Sequence, residues 1–466
     1  MKQIIFAKRI KKSHLVTNGE NLLKKQEMQI GLTEAYTAQC LEGGYVILDF
    51  GMEMNGGIRI LTHKGKRAKV RIRFGESLTE CCAELGGEQN ATNDHALRDF
   101  YTELQDYSDM SFGNTGFRFV RIDFYAQASI KTVVATNNIL RKKLIYSYKG
   151  DDKLIGRIYD TAKRTVDLCA GQDYLWDGVK RDRLVWMGDI HPEMLALTTL
   201  YGRLDVIERS LDYVKNNTSL PAWMNRMPMY SMWWIIILAD YFEKTRATDY
   251  LNGQIDYLEA LVEMMSQYIK EDGSLDYPSY FVDWPTSGKE DELAGVRAIN
   301  IIALKKAVKL LEEYKRNADT AKIGLERLMK IKIEVKKSKQ VAGLKHWAVG
   351  LDESDKALLL KGGAQGMSTF MSYYILKAVA SFDKEAAVKM MKDYYGSMLD
   401  KGATTFWEDY DILWAENSCR IDRFPKKGQR DIHGDFGAFC YKGFRHSLCH
   451  GWSAGVIQFI KEECDL

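Results

Sequence analysis

Between Trp176 and Asp189 the chain reads WDGVKRDRLVWMGD, fourteen residues that carry three carboxylates, three cationic side chains and two tryptophans. Far downstream come GATTFWED (Gly402 to Asp409), which sets carboxylates beside an aromatic, and HSLCHGW (His446 to Trp452). Hydrolysis of a glycosidic bond needs a carboxylic acid that protonates the leaving oxygen and a carboxylate that activates water. Flat indole surfaces suit the faces of a sugar ring. One carboxyl from each distant segment, meeting across a tryptophan-lined pocket, would form such a site.

Two compositionally different halves must do the positioning. From residue 1 to 148, YVILDFGMEMNGGIRI, RAKVRIRFG and TGFRFVRIDFYA alternate or run apolar, are rich in β-branched and aromatic residues and are bounded by glycine. This predicts an antiparallel β-sandwich domain. From 149 to 466 the spacing turns helical, beginning with KLIGRIYDTAKRTVDLC behind a capping Asp151 or Asp152. Further helices are predicted over 188–201, 205–215, 230–245, 252–270, 293–314, 320–335, 354–360, 366–381, 384–399 and 448–462. So many consecutive helices with aromatic-bearing loops between them suit an (α/α)6 toroid, whose rim loops would carry the chemistry.

Composition excludes several classes. Lys plus Arg (66) nearly balance Asp plus Glu (63), so no nucleic-acid partner is expected. The most apolar stretch, Met232 to Ala239, is far too short to span a bilayer, and the charged N-terminus lacks a signal-peptide core. Eight cysteines without regular spacing and without a CxxC pair read as reduced thiols. The expectation is a cytoplasmic protein with no cofactor and no metal, acting on a carbohydrate, with a homodimer as an allowed assembly.

WDGVKRDRLVWMGD resembles the signature D-C-P-x-R-E-R-L-G-W-x-G-D of the α-L-rhamnosidases of glycoside hydrolase family 78, the six-hairpin glycosidase type. Asp177, Arg181, Arg183, Leu184, Trp186, Gly188 and Asp189 match without a gap. GATTFWE is similar to the family's G-A-T-T-x-W-E, SLCHGWSAG to its S-x-x-H-x-x-x-G, and VDWP (Val282 to Pro285) to its G-D-W pocket loop. LDFGMEMNGGIRI and FGESL resemble the sandwich that precedes the barrel. The resemblance implies inverting, exo-acting removal of terminal α-L-rhamnosyl residues from small glycosides or oligosaccharides. It places Asp182 as general acid and Glu408 as general base, with Asp177, Arg181, Trp186, Asp189, Trp284 and His450 as the sugar-binding set. Three departures stand out: Asp182 replaces the family's glutamate, Gly178 and Val179 replace Cys-Pro, and the 409–445 segment is long. They keep two alternatives open, a glycosidase of the same fold acting on another sugar, and a non-catalytic sugar-binding protein.

Read as chemistry, Asp182 must hold a proton, helped by Trp186, Asp177 and Asp189 and opposed by Arg181 and Arg183. Direct contact with either guanidinium would keep it ionised and count against the role. Asp177 and Asp189 are expected to accept hydrogen bonds from sugar hydroxyls as carboxylates. Asp189 has helix capping as its structural alternative. Arg183 could equally anchor its loop. Trp233 and Trp234 read as buried on an inner helix, His191 as structural, and Glu53 and Glu76 as surface or interface acids. Glu408, Asp409 and Asp411 share one loop, and only the motif selects Glu408.

Overall fold

The structure is a computed structural model that describes residues 3–33, 36–64, 67–438 and 441–465. Seven strands come first: β1 (Gln3–Phe6), β2 (Arg9–Thr17), β3 (Ala38–Thr62), β4 (Ala68–Gly75), β5 (Asp99–Leu104), β6 (Asp109–Phe124) and β7 (Ala128–Asn137). β3 and β6 are antiparallel partners along both halves of β3, with register breaks between Asp49 and Met54 and between Gly56 and Ile58. On its other side β3 exchanges partners across the first break. Tyr45 to Asp49 pair with β2, whereas Gly56 to Thr62 pair with β7, Gly56 opposite Asn137 and Leu61 opposite Thr132. One long strand thereby serves two layers, the usual way a sheet turns a corner at a bulge. Val46, Leu48 and Phe50 from one layer share a core with Ile58, Ile60 and Val133 from the other. The sandwich is antiparallel, β3 and β7 included, since their paired residues run in opposite directions.

Thirteen α-helices follow among the described residues. They are α1 (Lys153–Cys169), α2 (Met187–Tyr201), α3 (Asp205–Asn216), α4 (Pro228–Thr245), α5 (Thr248–Asn252), α6 (Ile255–Ser266), α7 (Lys289–Glu313), α8 (Asp319–Leu328), α9 (Lys339–Val349), α10 (Glu353–Leu360), α11 (Ser372–Ala380), α12 (Lys384–Asp400) and α13 (Val456–Glu463). α2 packs on α4, α4 on α7, α7 on α9, α9 on α11, α11 on α13 and α13 back on α2, which closes a ring. α2 is buried at every residue and α4 over most of its length, as helices apolar all round must be. The outer helices α1 and α3 are instead strongly amphipathic, and Asp152 caps α1 by accepting from the Leu154 and Ile155 amides at 2.9 and 3.1 Å. Trp233 and Trp234 lie wholly inside α4.

Several helices differ from the sequence reading, among them α5, which was not foreseen, and α8, which ends at Leu328 where the helix was expected to reach 335. α9 was not foreseen, since its apolar residues show little one-sided periodicity and Gly343 interrupts them. Residues 366–371 precede α11 as turns, because Ser368 donates to the Asp283 carboxylate and Thr369 donates to the Glu408 carbonyl. The final helix starts only after a 3-10 turn, Gly451–Gly455, which leaves His450 extended at the rim. No helix among the described residues is long and apolar enough to cross a membrane.

Candidate active site

The segment from Trp176 to Trp186 is an irregular loop that leads into α2. Its start is stitched to the chain's last rim segment: Gly451 N–H donates to the Asp177 carbonyl at 2.7 Å, and Gly178 bridges His450. A side chain at Gly178 would meet the Cys449 carbonyl and the His450 ring at 3.2 Å, which accounts for glycine where the resembling signature has cysteine. Val179 packs with Leu168, Cys169 and Cys449. Beyond it, Asp182 and Arg183 both adopt left-handed backbone, each with φ 56°. Non-glycine residues rarely hold that region, and it marks a turn constrained from outside. Arg183 is fixed by donating to the Asn114 carbonyl at 2.8 Å and by lying 4.2 Å from the Trp176 ring centre. Its role is therefore anchoring.

Arg181 joins the two segments that sequence alone left apart. Its Nη1 lies 2.7 Å from Asp182 Oδ2 and its Nη2 2.7 Å from Glu408 Oε1, while Nε donates to the Arg445 carbonyl at 3.0 Å. Tyr441 covers the guanidinium at 4.5 Å. The role expected of Arg181, direct binding of sugar, gives way to a bridge between the carboxylates. The contact with Oδ2 is also the one that counts against a proton on that oxygen. Asp182 Oδ1 faces His95 Nδ1 at 2.9 Å, so its actual neighbours are a guanidinium and an imidazole.

Glu408 is buried, and its Oε2 accepts from the Ser447 amide at 2.9 Å. Burial raises its carboxyl above the usual range, against the opposing pull of Arg181 and the Ser447 amide. His450 Nε2 is 3.5 Å from Glu408 Oε1 and 3.9 Å from Asp189 Oδ2. Burial, then Arg181 and His446, keep that imidazole neutral. Asp177 and Asp189 were expected to act as carboxylates. Burial first, then neighbouring acids, pushes both carboxyls well above the ordinary aspartate range. Asp189 is not a cap: it sits within the first turn of α2 behind Trp186, and Tyr230 donates to it at 3.4 Å.

These groups surround one cleft with two lobes. Asp177, Asp182, Trp186, Asp189, Tyr230 and His450 line a cavity of about 80 Å³, and Asp283, Ser368, Glu408 and Asp409 line a smaller one beside it. Trp284, Tyr441 and Trp452 line both, so the cavities adjoin, with Asp182 opening onto the first and Glu408 onto the second. Trp284 stands at the mouth, edge-on to Phe281 and Tyr441. Asp409 rises to about 7 and Asp283 to about 6, chiefly through burial, while Asp411 caps the short turn that follows. Tyr230, Tyr441 and His95 escaped the sequence reading, as none lies in a chemically distinctive pattern, and in the VDWP loop only Trp284 was singled out, not Asp283. Trp407 is buried against Tyr410, away from the cleft.

A larger cavity of about 470 Å³ lies toward the C-terminal ends of α4, α11 and α13. Its Asp240 is held by His191 and Lys306 and its Lys377 by Glu462 and Glu463. His191 accordingly belongs to the packing there, stacked on Tyr374.

The sandwich closes the back of the site. Buried Glu76 accepts from the Leu448 amide at 2.6 Å and from Ser447 Oγ at 3.2 Å, and lies 3.1 Å from Lys180 Nζ. Glu80 lies 3.1 Å from the same ammonium and 2.5 Å from Arg98. Glu76 is thus an interface acid that touches both catalytic loops. Glu53 is also buried at the interface, and its amide donates to Thr404 Oγ1 at 2.9 Å. Glu76, Glu80 and His433 cluster tightly enough for a cation, but the Lys180 ammonium already fills that place. Asp177, Asp189 and His450 form a second such cluster within the cleft.

Comparison with known proteins agrees with this architecture. Residues 39–141 match the family model described as the bacterial alpha-L-rhamnosidase concanavalin-like domain. Among curated proteins none matches the chain by sequence. Of solved structures, a rhamnosidase from Klebsiella oxytoca with rhamnose bound superposes with a TM-score of 0.77 at 18% identity, covering 99% of this chain and 96% of that one. A GH78 family rhamnosidase of Bacillus sp. GL1 gives 0.67 at 16% identity over 95% of this chain, and an alpha-L-rhamnosidase from Dictyoglomus thermophilum gives 0.69 at 15% over 99%. This chain spans 48% and 51% of those two longer proteins. The chain resembles the family 78 α-L-rhamnosidases and shares their fold, a β-sheet domain followed by a helical domain.

Proposed function

We propose that this protein is a glycoside hydrolase that removes terminal α-L-rhamnosyl residues with inversion, Asp182 delivering the proton and Glu408 activating the water. One observation carries the reading: a single guanidinium, Arg181, contacts both carboxyls at 2.7 Å. A guanidinium edge between two carboxylates supports the wider spacing of about 6.5–9.5 Å that an inverting pair needs, over the roughly 5 Å of a retaining pair. The small closed lobe suits one terminal residue, hence exo action. Trp186, Tyr230 and Phe281 supply apolar surface for the C6 methyl of a deoxysugar, and Asp177, Asp189 and His450 face its hydroxyls. Glu408 would take the water proton, with His450 beside it. The boundary near residue 148, with sandwich before and catalytic ring after, belongs to the same proposal.

The Arg181 contact with Asp182 Oδ2 also favours a second reading, a sugar-binding protein that lacks a competent donor. Nitrophenyl glycosides and calorimetry separate the two. Turnover of the rhamnoside, with Asp182→Asn and Glu408→Gln each lowering kcat by at least a hundredfold while the fold is kept, is expected. Binding of rhamnose without turnover establishes the second reading, and turnover of another glycoside alone replaces the sugar.

A further inference from the structure

Resting on the assignment of Asp182 as proton donor, we infer that His95, on the sandwich loop between β4 and β5, delivers the proton that Asp182 passes to the leaving group. Asp182 has one oxygen on Arg181, which leaves Oδ1 as the oxygen able to carry a proton. That oxygen meets His95 Nδ1 at 2.9 Å. In this structure Nδ1 acts as an acceptor, and a proton on it would make it a donor toward Oδ1 instead. The same Nδ1 lies 2.8 Å from the Asp182 amide, which donates to it. The ring therefore has a partner in either state. When Nδ1 carries a proton it donates to Oδ1, and once the proton has moved its lone pair accepts the backbone N–H.

Exposure gives the direction of flow. The His95 side chain is 42% exposed and that of Asp182 14%, so the imidazole is the more open of the two to solvent. His95 also stands on left-handed backbone, with φ 62°, a conformation that aims it back at the acid loop. The charged groups around it are Asp182 and Arg181 from the acid loop, Asp94 from its own loop, and Arg445, which pairs with Asp94 at 2.7 Å.

The cycle balances. A hydronium or buffer acid protonates Nδ1 while the ring is turned to solvent. The ring returns and gives that proton to Asp182 Oδ1. The carboxylic acid then protonates the glycosidic oxygen as its bond to the anomeric carbon breaks and the bonding pair stays on that oxygen. The water oxygen bonds to the anomeric carbon, and its proton goes to Glu408, which releases it to solvent as the products leave.

The test compares leaving groups that need a proton with one that does not. His95→Ala is expected to lower kcat on methyl α-L-rhamnoside at least tenfold while changing dinitrophenyl α-L-rhamnoside less than twofold. Imidazole added to the buffer should restore the methyl rhamnoside rate in proportion to its concentration, and should fail to do so in the His95→Ala, Asp182→Asn double variant. His95→Gln keeps an acceptor for the Asp182 amide but cannot relay, and should be as slow as His95→Ala. Equal losses on both substrates without imidazole rescue, or full activity in His95→Gln, would reduce His95 to a structural contact and overturn the relay. An Asp182→Asn enzyme that retains the methyl rhamnoside rate overturns the donor assignment itself, and the relay with it.

Discussion

Replacing Lys180 by methionine should release both catalytic loops from the sandwich. The side chain is 1% exposed, and its ammonium lies 3.1 Å from both Glu76 and Glu80 and donates to the Phe444 carbonyl at 2.7 Å. Lys180 and Arg98 together balance the two buried acids. Methionine fills similar volume but leaves one buried negative charge without a counter-ion, a loss of about 3–5 kcal/mol when one partner of a buried pair is removed. At a few degrees per kcal/mol for a unit of this size, melting should fall on the order of 10 °C. The consequence extends to catalysis, because Glu76 holds the Leu448 amide and Ser447, and the Ser447 amide holds Glu408. A thermal melt followed by tryptophan fluorescence, with kcat measured well below the transition, reads both effects. Glu76→Gln alone and combined with Lys180→Met completes a double-mutant cycle, in which a coupling of about 1–3 kcal/mol is expected for groups in one network. A Lys180→Met protein that melts with the parent and keeps its kcat would refute this account of the interface.

Three further outcomes can be checked. An added Cβ at Gly451 would lie 2.1 Å from Glu193 Oε1, so Gly451→Ala should lower the urea midpoint by the equivalent of about 1–3 kcal/mol, and Glu193→Ala should recover much of it. Both Glu193 carboxylate oxygens are buried without a hydrogen-bond partner, and burial, then Asp189 and Asp177, pushes this carboxyl well above its ordinary 4.5. Near neutral pH the unfolded chain then binds fewer protons than the folded one, so this group's contribution to stability falls as pH rises above about 4.5, by up to about 1.4 kcal/mol per pH unit. Glu193→Gln should remove that slope, and parallel stability curves for parent and variant from about pH 5 to about pH 8 would contradict it. Trp284→Ala, which strips the ring at the cleft mouth, should raise KM for nitrophenyl rhamnoside about three- to tenfold with a smaller change in kcat, the scale of one aromatic contact.

The parts of the fold legible in sequence are those with strong local signals. Period-two runs marked the strands, continuous apolar helices such as α4 marked the inner ring, and Asp152 marked the start of α1. α9 carried no such periodicity and became visible only through its packing between α7 and α11. The site shows the same division. Asp182, Glu408 and His450 are selected by the family motifs that their segments resemble, since spacing alone does not choose Glu408 among three neighbouring acids. His95 and Glu76 act through partners from remote segments, and no local spacing announces that. The surroundings of the acids are hidden for a related reason. Asp177 and Asp189 look like free carboxylates in sequence, whereas burial pushes both carboxyls well above the ordinary aspartate range.

The strained turn explains why the sandwich is part of the site and more than a neighbour. Two successive left-handed residues, Asp182 and Arg183, cost about 1–2 kcal/mol each relative to ordinary backbone. A loop left to itself would relax and carry the acid away from Glu408. Inside the helical ring, Arg181 holds the Asp182 side chain but leaves its backbone free to turn. The groups that oppose relaxation come from the other half of the chain: His95 accepts the Asp182 amide, the Asn114 carbonyl and side chain receive the Arg183 guanidinium, and Glu76 and Glu80 fix Lys180 just upstream. Loss of any one of these should therefore act on the position of Asp182 before it acts on the ring, lowering kcat on substrates that need a proton while leaving the far cavity around His191 and Asp240 unchanged.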